Sequence, residues 1–194
     1  MRFRNRKNIV FHEDVQEQDK IRLLLSATGA MLTLGMADFL ILSIKKIIVY
    51  PSQYYSSITR QQHYGEYKPG RKTLVFLAEQ LLVGFRIPND NLNLAVHEFA
   101  HALSFNVANK LNIRSFLFIF GMNKMRRLLS DTEFNKKWDR NSYFRIYGKT
   151  NIHEFFAVAV ESYIETPDEF ETHFPNVFRT VGFMLNLGFY RLPK

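Results

Sequence analysis

The sequence contains no cysteine. That absence removes disulfide scaffolds, thiol nucleophiles and Cys-ligated zinc in one step. Any metal must then be held by histidines and carboxylates. Also missing is a long apolar run. The longest weakly polar stretch, Leu23 to Ala37, is closed by Arg22 and Asp38 and carries Ser26, Thr28 and Thr33. A membrane span needs about 20 consecutive apolar residues, so this stretch reads as a buried helix. Acidic residues are in deficit, 18 against 26 basic ones, for a formal charge of +8. The basic start, Met1 to Lys7, is followed by polar His12 to Lys20 instead of the apolar core of a secretory signal. A cytoplasmic protein is therefore expected, with an N-terminal anchor in a longer parent chain left open.

What remains suits one folded domain. The chain has 194 residues, 46% of them hydrophobic and 15% aromatic, enough to bury a core without covalent staples. No internal repeat, low-complexity tract or Ser/Gly linker divides it. A single domain over 1–194 is expected, with 1–16 a flexible or truncated segment. The basic runs (Arg2 to Lys7; Lys124, Arg126 and Arg127; Lys136, Lys137 and Arg140) come with no nucleic-acid-binding pattern. They read as solvated surface, with peripheral membrane contact as the other use and no specific nucleic acid as partner.

Apolar periodicity predicts a helix from about Glu17 to Met36. The β-branched run Ile41 to Tyr50, stopped by Pro51, predicts a strand. Gln53 to Gly70 reads as a long loop, Thr73 to Ala78 as a second strand, and Leu81 to Phe85 as the lead into a turn. A helical period begins at Asn93 and runs towards Ala108. Lys110 to Arg145 reads as polar and basic, with short helical pieces. A second strong helix is expected from Asn151 to Glu165, ended by Thr166-Pro167, and a last one from Asp168 or Pro175 to Leu187. The class is α+β.

Residues 97 to 101 are His-Glu-Phe-Ala-His. On a helix, positions four apart share a face, so His97 and His101 can share one metal. Glu98 is offset by one position, where its carboxylate can take a proton from water at the metal's open site. Two imidazoles and a carboxylate on a half-buried helix are unfavourable unless something satisfies them, and a zinc ion is the simplest candidate. The third ligand should be a carboxylate from another helix. Glu154 leads, as a first-turn acid on the very apolar segment Phe155 to Val160. Glu161, two turns along the same face, is the alternative ligand or a supporting partner. His153 points about 100° away from Glu154, which suits solvent or a supporting role. His12, His63 and His173 have no partner at ligand spacing and read as surface residues. Trp138 reads as a loop anchor.

With these residues in view, the chain resembles the Mlc titration factor A (MtfA) family of zinc metallopeptidases. These are gluzincin-like proteins whose catalytic core is similar to the anthrax lethal factor protease domain. The resemblance is carried by Ile48-Val-Tyr-Pro51, by Asn93 to Leu103, by Tyr147 to Asn151 with Glu154 to Glu161, and by Phe174 to Phe178 with Phe189-Tyr190. It implies a zincin-like fold, with a small sheet packed on the HExxH helix and a second Glu-bearing helix. It also implies that His97, His101 and Glu154 ligate zinc, that Glu98 is the general base, and that Tyr147 steadies the oxyanion or protonates the leaving amine. The chain departs from the family at Ser104, where an Asp is common, and at Ala102, where Lys or Arg is common. The function expected is hydrolysis of peptide bonds in a peptide or protein substrate, with strand Thr73 to Ala78 either lining the cleft or lying in the core. The rival is a non-catalytic binding module for a regulatory protein partner or a membrane surface.

Overall fold

The computed structural model describes residues 7–36, 41–51, 54–56, 61–108 and 113–187. A four-stranded sheet is built from β1 (Asn8–Phe11), β2 (Lys46–Tyr50), β5 (Gly65–Lys68) and β6 (Thr73–Leu77), in the order β1-β2-β6-β5. β1, β2 and β6 run parallel, and β5 closes one side antiparallel to β6. β3 (Tyr54–Ser56) and β4 (Gln61–His63) form a separate antiparallel pair. Residues Asn8–Phe11 lie within the stretch expected to be flexible. Pairing with β2 orders them, and Ile9 is buried there.

The sheet's burial explains its sequence. β2 alternates, with Ile47 and Val49 inside, as expected of a strand with one covered face. β6 is buried at every position, as an interior strand flanked on both sides must be. Of its two expected roles, lining the cleft or lying in the core, its buried side chains match the core. β2 is also shorter than the predicted Ile41 to Tyr50, beginning at Lys46. The predicted loop Gln53 to Gly70 instead holds β3, β4 and β5. β5 (Gly-Glu-Tyr-Lys) is only partly buried and is held by its ladder to β6, so it carries little apolar signal of its own.

Helix α1 (Gln18–Leu32) buries Ile21, Leu25, Thr28, Gly29 and Leu32, one stripe at helical spacing. Helix α2 (Ala78–Arg86) follows β6 directly and begins at Ala78, the last residue of the predicted strand. Helices α3 (Leu94–Ala108) and α6 (Ile152–Glu165) make the most extensive helix–helix contact. Both are apolar almost all round: Ala95, Val96, Phe99, Ala100, Ala102 and Leu103 on α3 and Phe155 to Val160 on α6 are buried. α4 (Ile113–Leu129) and α5 (Thr132–Asn141) replace the expected short pieces between 110 and 145. The chain then ends its described part in α7 (Pro167–His173) and α8 (Pro175–Leu185), separated at Phe174. The architecture is mixed α+β, mostly helical with a small sheet. Among the described residues no helix is long and apolar enough to cross a membrane.

Candidate metal centre

Each of the two central helices starts on an asparagine cap. Asn93 Oδ1 accepts the Val96 N–H (3.2 Å), and Asn151 Oδ1 accepts the N–H groups of His153 (2.9 Å) and Glu154 (3.1 Å). Such caps contribute about 1 kcal/mol each. They also fix where the first turn begins, and so where His97 and Glu154 emerge. Glu154 sits in the first turn of α6, where the helix dipole favours a carboxylate.

The packing of α3 on α6 brings three donors together. His97 Nε2 is 3.1 Å from Glu154 Oε2 and 3.1 Å from His101 Nε2, and His101 Nε2 is 3.3 Å from the same Glu154 oxygen. A tetrahedral ion with arms of about 2.05 Å has ligand–ligand edges of about 3.3 Å. The triad fits a small cation closely. The tautomer fits as well. His97 Nδ1 lies 3.1 Å from Glu161 Oε2, and a carboxylate can only accept, so Nδ1 keeps its proton when the ring is neutral, and Nε2 is then the atom available to a metal.

Glu161 is almost fully buried and lies on the opposite side of the His97 ring from Glu154. It also accepts the Asn93 backbone N–H (3.1 Å) and is paired with Arg145. The donor cluster therefore takes in Glu154 and leaves Glu161 behind the imidazole. Glu165, one turn further along α6, accepts from Asn93 Nδ2 (3.2 Å). The far end of α6 thus grips the start of α3.

The charges follow from this enclosure. Burial pulls His97 down, but its bonds to Glu154 and Glu161 outweigh that and raise it to about 10 in the metal-free chain. Glu154 is raised by partial burial, yet its bonds to His101 and His97 dominate and hold it well below the usual carboxylate range. Glu98 is buried and pushed up, mainly by desolvation, against the pull of His101 and His97 and a backbone bond from Tyr67 of β5. Tyr147 is half exposed, with its ring centroid 6.1 Å from that of His97 and its hydroxyl bonded to Glu154. Burial first, then the charge of Glu154, pushes its phenol up to about 12, so it stays a proton donor throughout the physiological range.

Two cavities of about 380 Å³ each meet at His97, Glu98, Tyr147 and Gly65. One is walled by Val83, Leu92, Leu94 and Arg145, the other by Tyr67, Phe105, His153 and Glu154. β5 borders both, so the strand beside the cleft is Gly65–Lys68. Gly65 has a steric reason: a Cβ there would come within 2.7 Å of Leu94 Cδ1 and 3.1 Å of Glu98 Cγ.

The sequence profile described as Glucose-regulated metallo-peptidase M90 matches residues 1–184. The chain belongs to this M90 family. No curated protein matches it significantly. Membership makes it a metallopeptidase by family, with a metal cofactor and peptide or protein substrates implied.

His153 is exposed, stacks on Phe105 and lies 3.5 Å from Ser104 Oγ, away from the donor cluster. His12 is exposed beside Asp14. His63 has its side chain outside the described residues. His173 is not fully at the surface, since Asn141 Nδ2 donates to it (2.9 Å) and Tyr143 packs on it. Trp138 is buried, donates to the Phe144 carbonyl (3.1 Å) and packs under Gly148, anchoring the segment that carries Arg145 and Tyr147. Asn93, Arg145 and Glu165 also support the site, although the sequence does not single them out. Asn93 is recoverable as a helix cap before an apolar helix, whereas Arg145 and Glu165 meet the site only through tertiary packing.

Proposed function

We propose that this chain is a single-domain, zinc-dependent peptidase of the gluzincin type, in which His97, His101 and Glu154 hold the metal. The observation that carries this is the meeting of two imidazole nitrogens and one carboxylate oxygen at 3.1–3.3 Å, from two capped helices, beside the buried Glu98. The ion supplies a Lewis acid for the scissile carbonyl and brings the pKa of water down to about 7.

The protein groups then divide the work. Glu98 takes a proton from the attacking water as the carbon–oxygen bond forms, and returns it to the amine as the carbon–nitrogen bond breaks. Burial pushes its carboxyl above the usual range, which makes it a better proton acceptor than an exposed glutamate. Tyr147, held protonated, donates to the oxygen on which negative charge develops. Glu161 holds His97 in the tautomer that leaves Nε2 available. β5, the edge strand beside the cleft, is where an extended peptide would lie, the role first expected of Thr73 to Ala78.

The rival reading, a non-catalytic binding module, is not favoured, because a structural site has no use for a buried carboxylate poised at Glu98. Zinc content separates the ligand assignments. Glu154→Ala is expected to lose bound zinc, and wild-type zinc in that variant would remove Glu154 as a ligand.

A further inference from the structure

The face of a helix turned away from its core is ordinarily polar. On α4 that face is apolar. Ser115, Phe118, Gly121, Met122 and Met125 are buried and form the inner stripe. Directly opposite, Ile113, Phe116 and Phe120 are 74%, 68% and 59% exposed. The same outer stripe continues at helical spacing into Asn123, Lys124 and Arg127, all exposed. Two turns of bare hydrocarbon are thus followed by a turn of positive charge.

The surroundings carry the same sign. From Phe99 to Ser130 the sequence has no Asp or Glu, while Lys110, Arg114, Lys124, Arg126 and Arg127 fall in that span. Arg114 and Arg126 donate to amide oxygens, of Asn186 and Asn123, so their charge is not neutralised by those bonds. Exposed aromatic residues alone would fit many surfaces. Aromatic residues next to a basic turn select a surface that is apolar beneath and anionic above.

We propose that the outer face of α4 docks on an anionic lipid bilayer, with Ile113, Phe116 and Phe120 entering the headgroup–acyl boundary and Lys124 and Arg127 meeting lipid phosphates. A second copy of this chain is the poorer occupant. Pairing in either direction would bring together two segments that each carry Arg114, Lys124, Arg126 and Arg127 and no acidic residue between Phe99 and Ser130 to answer them. The docking is independent of the peptidase chemistry, since no residue of this face lines the two cavities beside Glu98.

The test is co-sedimentation of the full chain with vesicles of phosphatidylcholine alone and of phosphatidylcholine with 30% phosphatidylglycerol. Binding is expected to the anionic vesicles only, and to weaken from 0.1 to 1 M salt as screening shortens from about 10 to about 3 Å. Phe116→Ser with Phe120→Ser, and separately Lys124→Glu with Arg127→Glu, should each weaken binding about tenfold or more. Hydrolysis of a soluble peptide should be unchanged in both. Equal binding to both vesicle types, no binding, or unaffected binding in either double variant would overturn the proposal. So would a concentration-dependent dimer abolished by the serine variant, which would assign the face to self-association. A fall in melting temperature of the serine variant would instead mean that another part of this chain covers the face, and would overturn it as well.

Discussion

Glu161 Oε2 stands 3.1 Å from His97 Nδ1, on the side of the imidazole away from Glu154. One carboxylate of α6 thus faces the open side of the ring and another, seven residues later, holds its back. Both come from the same helix, so the spacing of Glu154 and Glu161 along α6 sets the pose of a side chain on α3. Glu161 also takes the Asn93 N–H and pairs with Arg145, which ties the orientation of His97 to the cap of its own helix.

Glu161→Ala should therefore weaken zinc affinity without abolishing it, by about 10–100-fold. Competition against a chelator of known affinity measures this. A loss as complete as that of Glu154→Ala would mean that Glu161 is itself a ligand.

Metal binding should displace a proton from His97. In the metal-free folded chain this group is raised from 6.5 to about 10, with burial opposing and the bonds to Glu154 and Glu161 prevailing. A raised cationic group stabilises the fold fully below its unfolded pKa, near 6.5, and that contribution is lost as pH rises through about 10. At pH 8 the proton is still bound, and Nε2 must release it before it can ligate. Titration calorimetry of zinc binding in two buffers of different ionisation enthalpy should report release of about one proton. Release of none would contradict the assignment.

Gly65→Ala should fold yet lose activity. The added methyl would press on Leu94 Cδ1 and Glu98 Cγ. The leucine tip can move, whereas the proposed base tolerates little displacement. A fall of roughly a hundredfold in kcat/KM is expected, the penalty for a misplacement of about 1 Å, with bound zinc retained. Wild-type activity in this variant would show that β5 does not control Glu98.

The centre was legible in the sequence where its chemistry is local. His97, Glu98 and His101 are one helical turn, and their spacing alone puts the imidazoles on a common face. Glu154 was a good candidate because an acid in the first turn of so apolar a helix is conspicuous. Its lead over Glu161 rests partly on the family resemblance, since both lie on one face of α6 and only the crossing of α3 over α6 decides which side of His97 each meets. Edge strand β5 was hidden for a related reason. Its order comes from hydrogen bonds to β6, not from its own side chains, so Gly-Glu-Tyr-Lys looked like loop. β6 had the opposite difficulty, because an unbroken apolar run fits either a core strand or a pocket wall. On α4 the period was masked by apolar residues on the face that normally supplies the polar half of the pattern.

The central claim is that Glu98 moves the proton while His97, His101 and Glu154 hold the metal. Its most direct test is the Glu98→Gln variant, assayed together for bound zinc by elemental analysis and for peptide hydrolysis by mass spectrometry. Near-equimolar zinc in both proteins is expected, with hydrolysis in the variant reduced by about 10²–10⁴-fold, the usual contribution of a positioned general base. Zinc retained together with undiminished hydrolysis would contradict the account.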